Sequence, residues 1–323
     1  NRRSFNQPLN NWDVSNVTDM HAMFQNATSF NQPLNKWNVS KVTSMSYMFS
    51  HATSFNQPLN NWDVSNVRHM SAMFWAAESF NQPLNNWNVS NVRDMKEMFS
   101  NADAFNQSLN DWDVSNVTNN GFQGMFEYAK SFNQPLNNWN VSKVTDMEGM
   151  FWGAESFNQP LNKWNVSKVR NIGWMFYAAH SFNQPLNNWN VSNVENMDGM
   201  FSDASFFNQP LNNWDVSNVR DMREMFKGAS SFNQPLNNWN VSNVTYMDQM
   251  FDEATSFNQR LPLKLRPLLE RNENYDSDDS HGSVDTLTLS GGVITEEQAK
   301  QIAEGMPNDI LKTYVLPVIR YPL

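Results

Sequence analysis

The sequence predicts an α/β solenoid with one short parallel strand and one helix per repeat, followed by a small C-terminal segment; an all-β solenoid is the alternative. Three observations carry this. Residues 5–29, FNQPLNNWDVSNVTDMHAMFQNATS, recur ten times, with Phe5 returning as Phe30, Phe55, Phe80, Phe105, Phe132, Phe157, Phe182, Phe207, Phe232 and Phe257. A fixed period of about this length is the mark of a stacked array. Second, Phe5, Leu9, Trp12, Val14, Val17, Met20, Met23, Phe24 and Ala27 are apolar, more than one copy can bury, so neighbours must share a core. Third, the two halves of the repeat carry different periodicities.

The first half reads as extended chain. Trp12 and Val14 flank a polar residue and both face inward, as in a short half-buried strand. Pro8 cannot donate to a ladder and belongs at a corner; Ser108 replaces it once. Asn6, Gln7 and Asn10 have the same residue type in every copy. Stacked amides can form ladders between coils, but backbone satisfaction within tight turns is the better reading.

The second half reads as a helix. Val17, Met20, Met23, Phe24 and Ala27 fall on one face of a 3.6-residue period, with Ser15 as the N-cap. The step from Phe105 to Phe132 is two residues longer than the others, and residues 118–126, TNNGFQGMF, hold the insertion. With Asn120-Gly121 inside it, this stretch is expected to bulge the helix start or make a local turn.

Four segments follow from the tiling: a ten-repeat solenoid over 1–257, a cap over 258–271, an acidic linker over 272–283 and a small docking segment over 284–323. In the cap, Leu261, Leu263, Leu265, Leu268 and Leu269 are placed to cover the open end of the core. The segment NENYDSDDSHGS is polar and acidic, with Ser277 and Ser280 flanking two Asp residues. Beyond it, residues 284–289 alternate like a strand, Ser290-Gly291-Gly292 turns, and Thr295 with Gln298 forms a capping box for a helix to about Gly305. Asn1 opens directly onto a repeat, which is expected of a fragment or processed form.

The run FNQPLNNWDVSNVTDM, closed by Met-Phe, resembles the repeat of the BspA-like leucine-rich-repeat surface proteins. That group includes lipoprotein repeats of mycoplasmas and similar copies in other bacterial surface proteins, protists and large DNA viruses. The likeness covers residues 1–257. It implies a leucine-rich-repeat-like, extended and curved solenoid used for adhesion or scaffolding, and carries over no catalytic residues.

The chemistry-bearing residues point the same way. The chain of 323 residues has net charge −10, with 32 acids against 22 bases, and both the repeats and the tail are acidic. Nucleic acid and anionic membrane are therefore not expected partners. It has no cysteine, which removes disulfides, zinc–thiolate sites and cysteine nucleophiles. No apolar run is long enough to span a bilayer. The five histidines, His21, His51, His69, His180 and His281, show no ligand spacing. Asp111 and Asp113 form a D-W-D pair, but the remaining oxygen ligands and the glycine of a calcium loop are missing. No cofactor, metal or catalytic residue is expected, and the chain is read as a non-enzyme. Asn140, Asn165 and Asn190 begin N-x-S/T triplets in consecutive copies, too close together for glycans to stack.

The informative positions are those that vary between copies. Trp152 and Tyr177 directly follow the invariant Phe, Trp174 and Tyr128 lie nearby, and Trp75 occupies the Trp152 position in an earlier coil. Tyr128, Trp152, Trp174 and Tyr177 come from three consecutive coils and form a candidate partner surface. The alternative is that the rings pack on each other or against a docked C-terminal segment. The expected function is a surface or scaffold protein, located at the cell surface, outside the cell or in a virion. It binds other proteins and enters a higher-order assembly. The alternative is a minor capsid or cement component of a large DNA virus.

Overall fold

The computed structural model describes residues 2–265, together with the two short strands Leu287–Leu289 and Gly292–Ile294. Residues 5–257 form stacked coils, one repeat to each. Neighbouring coils are joined through single-residue parallel bridges rather than continuous strands. The bridges run Asp19, Ser44, His69, Asp94 and then, after the insertion, Asp146, Asn171, Asn196, Asp221, Tyr246.

The helix expected in each repeat is absent. Among the described residues no α-helix occurs; the helical elements are two 3-10 turns, Arg2–Ser4 and Leu263–Leu265. Coil 157–181 shows why. The amides of Ile172, Trp174, Phe176 and Ala178 donate to Asn196, Asp198, Met200 and Ser202 of the next coil at 2.7–3.1 Å. Alternate amides, those of Met175, Tyr177 and Ala179, close local turns on Ile172, Trp174 and Phe176. Such alternation requires a left-handed residue at two positions per coil, here Trp174 (φ 56°) and Ala178 (φ 51°). A helix would have spent all these amides within its own coil.

The strand assigned to Trp12 and its successors is also corrected. Trp164 and Val166 are both buried, as the alternation requires, but the segment is not paired as a strand. Its backbone turns, with Trp164 N donating to Leu161 O at 3.1 Å and Val169 N to Val166 O at 2.9 Å. The coil is therefore neither helix-and-strand nor an all-β winding. It is a chain of turns stitched to its neighbours by a ladder.

Side chains provide a second set of stitches. From Trp37 to Trp239, nine tryptophans each donate the indole N–H to a leucine carbonyl of the preceding coil at 2.8–3.0 Å. The invariant amides act between coils too, not within their own turns. Asn133 Oδ1 accepts from the backbone amide of Asn158 and from Gln159 Nε2, both at 3.0 Å. Phenylalanine columns fill the interior: Phe151 stacks on Phe157 at 4.0 Å and on Phe176 of the next coil at 5.6 Å. Stacked aromatic pairs of this kind add about 0.5–1.5 kcal/mol each beyond the area they bury.

The insertion forms a local turn. Gly121 N donates to Thr118 O at 3.0 Å, Asn119 takes φ 54°, and the ladder resumes at once with Met95 N donating to Gly121 O at 2.9 Å. A β-carbon at Gly121 would lie 2.6 Å from Val117 Cγ1, so the turn needs glycine. Phe122 fills the methionine position and stacks on Trp139 at 5.3 Å.

At the far end, Leu261 and Leu265 are buried and Lys264 Nζ donates to the carbonyls of Ser242 and Val244 at 2.9 and 2.6 Å. Leu268, Leu269, the acidic stretch 272–283 and the helix expected after Thr295 lie outside the described residues. The strands β1 (Leu287–Leu289) and β2 (Gly292–Ile294) pair antiparallel, Leu287 opposite Ile294. No described helix is long and apolar enough to cross a membrane.

Candidate interaction surface

The ladder region of each coil carries the variable residues outward. Trp174 and Tyr128 stand at left-handed positions, Trp152 and Tyr177 just before one, and these aromatic side chains collect in adjacent coils. Trp152 and Trp174 stack at 5.7 Å with 27° between planes. Tyr177 meets both edge-on, at 5.1 Å from Trp152 and 5.4 Å from Trp174, and Tyr128 lies 6.1 Å from Trp152. All four are half-buried. They pack on one another, and the Trp152 indole N–H is buried without a hydrogen-bond partner.

Glycines make room for this cluster. A β-carbon at Gly153 would sit 2.5 Å from the Tyr128 ring, and one at Gly199 would collide with Trp174. Both glycines take positive φ, 65° and 57°. Each of these two rings is thus laid across a bare backbone in the next coil. The rings are not as independent of the fold as their outward positions implied.

Trp75 stands apart. It meets His51 edge-on at 4.8 Å and Tyr47 at 6.5 Å, in an earlier part of the stack.

Carboxylates flank the rings. Burial pushes the Glu127 carboxyl up, reinforced by the charge of Glu97 and opposed by a hydrogen bond from Ser100. Burial also raises the Tyr177 hydroxyl, with Asp203 beside it adding to the effect. Asp198 is pushed up to about 6 by burial, then by Asp221, against the pull of Arg223. Arg223 itself bonds Asp221 at 2.6 Å, approaches Asp198 at 3.6 Å and lies over the Tyr246 ring at 5.3 Å.

The D-W-D pair has a plainer use. Asp113 Oδ1 accepts from the Ser115 amide at 3.0 Å, and hydrogen bonds from the Ser115 hydroxyl and amide hold its carboxyl below the usual range. Asp13, Asp63 and Asp215 do the same with Ser15, Ser65 and Ser217. Asn140, Asn165 and Asn190, of the N-x-S/T triplets, accept from Ser142, Ser167 and Ser192 at 3.1–3.2 Å. Among the described residues no group of three or more His, Cys, Asp or Glu side chains is arranged to hold a metal ion.

No curated protein matches the chain. Among solved structures, the crystal structure of a TLR13–ssRNA13 complex aligns at 11% identity with a TM-score of 0.25. The alignment covers 76% of this chain and 42% of that one, so the chain spans less than half the length of that protein. So low a score carries no argument about fold or ligand. A family model described as "Mycoplasma protein of unknown function, DUF285" matches in three overlapping stretches, residues 1–112, 81–187 and 175–264. Those stretches take in every repeat, and the chain belongs to that family of tandem-repeat proteins.

Proposed function

We propose that this chain is a non-enzymatic scaffold of the BspA-like kind, exposed at a cell surface, whose stacked coils present a face on which other proteins dock. The observation that supports this reading is the aromatic cluster of Tyr128, Trp152, Trp174 and Tyr177, gathered partly exposed on one face of a body whose repeated phenylalanine and tryptophan columns are internal. Aromatic anchors of this type carry much of the binding energy in protein interfaces. The rest of the coil surface is amide-rich and engaged in its own ladders, which suits a rigid support. The test is quantitative co-purification of the native assembly with the chain and with a Trp152→Ser, Trp174→Ser variant, beside melting curves. Loss of association with a retained cooperative melt is expected. Unchanged association would remove the cluster as an interface.

A further inference from the structure

We propose that the face centred on Trp152 and Trp174 receives a basic polypeptide segment, its arginine or lysine side chains lying along the rings with their charges met by Glu127 at one end of the cluster and Asp203 at the other. The inference rests on the docking reading above and names the chemistry of the partner.

The surface already shows this chemistry once, with its own residue. Arg223 lies over Tyr246 at 5.3 Å while Asp221 and Asp198 hold its guanidinium at 2.6 and 3.6 Å. Ring and carboxylates together satisfy both the face and the edge of the cation. In the coils before it, carboxylates again accompany rings, spread from Glu127 to Asp203, and no ion pair to either carboxylate occurs among the described residues. Glu127 occupies the position of Trp152 one coil before it, and Asp203 follows Tyr177 by one coil and lies close enough to raise its hydroxyl. Lys227, the nearby base, is engaged with Glu224 at 3.2 Å and Gln249 at 2.8 Å. Among the described residues Arg223 is the one guanidinium placed over a ring.

Charge selects among occupants. The chain's own segment 272–285 carries Glu273, Asp276, Asp278, Asp279 and Asp285, and like charge disfavours it on this face. A sugar chain requires a flat platform, whereas Tyr177 stands at 73° and 69° to its two neighbours. A basic segment needs only partly exposed rings with carboxylates at hand, and Glu127 and Asp203 supply these at the two ends of the cluster.

The experiment is fluorescence anisotropy with the full chain and a labelled peptide of five Arg-Ser units. A Glu-Ser peptide of the same length and a neutral hexasaccharide serve as comparison probes. The Glu127→Gln, Asp203→Asn variant preserves side-chain shape, and Asn tolerates the positive φ of position 203. A second variant, Asp63→Asn with Asp215→Asn, removes the same charge elsewhere, at a repeat position that is Asn in other copies. The first variant is expected to bind the Arg-Ser peptide about tenfold more weakly, the second within about twofold of the native chain. Should the first variant unfold, Glu127→Gln alone carries the test, with about a threefold loss expected. Equal loss in both variants, no binding of the peptide, preference for either comparison probe, or sedimentation showing that the chain pairs with itself through this face would overturn the inference. If the native assembly still co-purifies through Trp152 and Trp174 in that event, the docking reading stands and only the partner's chemistry is wrong.

Discussion

Trp164 donates its indole N–H to the carbonyl of Leu136 in the coil before it, at 2.9 Å, while its ring stacks 6.4 Å from Trp189 in the coil after it. One side chain thus joins three coils. The indole is a second donor to a carbonyl that already closes its own turn, accepting from the Trp139 amide at 3.1 Å, and the ring fills the space that turn encloses. Because the indole bond recurs nine times, the stack is held by repetition of one modest bond.

Separating the two roles gives the first prediction. Trp164→Phe keeps a ring but removes the second donor on the Leu136 carbonyl, which retains the Trp139 amide, and should cost about 0.5–1.5 kcal/mol. Trp164→Ala also opens a cavity and should cost about 3–5 kcal/mol. Chemical denaturation of the three proteins measures both. A Phe variant as stable as the native chain would show that the hydrogen bond contributes little, and equal losses for Phe and Ala that the ring's packing does.

The second prediction concerns the glycine beneath Tyr128. Gly153→Ala places a methyl 2.5 Å from that ring, at φ 65°, so the ring must move and the backbone is strained. A loss of about 1–3 kcal/mol is expected. Combining it with Tyr128→Ala should recover the steric part, because the methyl then has room. A double-mutant cycle measures that coupling; strict additivity would mean that the ring does not lie over Gly153.

The third prediction is a pH dependence. Asp198 titrates near 6 in the folded chain against an ordinary value of 3.8. The folded state therefore holds its proton more tightly than the unfolded state. Its protonated form stabilises the fold fully below about pH 3.8, and that contribution is lost as the pH rises through about 6. Asp221, Glu224 and Glu148 repel the ionised carboxylate and Arg223 attracts it. Asp198→Asn should accordingly raise the melting temperature above pH 6 and lose its advantage below pH 4. A variant less stable than the native chain at pH 7.5 would show that the Arg223 pairing outweighs burial.

Period, shared core and inward tryptophans were legible in the sequence because they are repeated ten times. The secondary structure was not. Val17, Met20, Met23, Phe24 and Ala27 recur at three- and four-residue intervals, which a helix produces, but so do successive three-residue turns. In the structure Met23, Gln25 and Ala27 close such turns on Met20, Ala22 and Phe24. A contrary signal was present at the left-handed positions. One holds Gly124, Gly149 and Gly199, the other Gly153 and Gly228 along with Asn26, Asn101 and Asp203. Glycine and Asx residues gathering at two points four residues apart argue against a helix interior. The aromatic cluster was legible as a set of residues, but its reliance on Gly153 and Gly199 appears only when the coils are stacked.

Nine tryptophans lock the coils, and a pair, Trp152 and Trp174, is proposed to face a partner. The indole N–H signals of the full chain, followed by nuclear magnetic resonance in deuterated water and then during titration with the Arg-Ser peptide, test this division most directly. The nine locking indoles should persist in deuterated water and stay fixed during the titration, while the signals of Trp152 and Trp174 move. Locking indoles that exchange as fast as that of Trp12, which is 58% exposed, or that shift with the peptide while Trp152 and Trp174 do not, would contradict it.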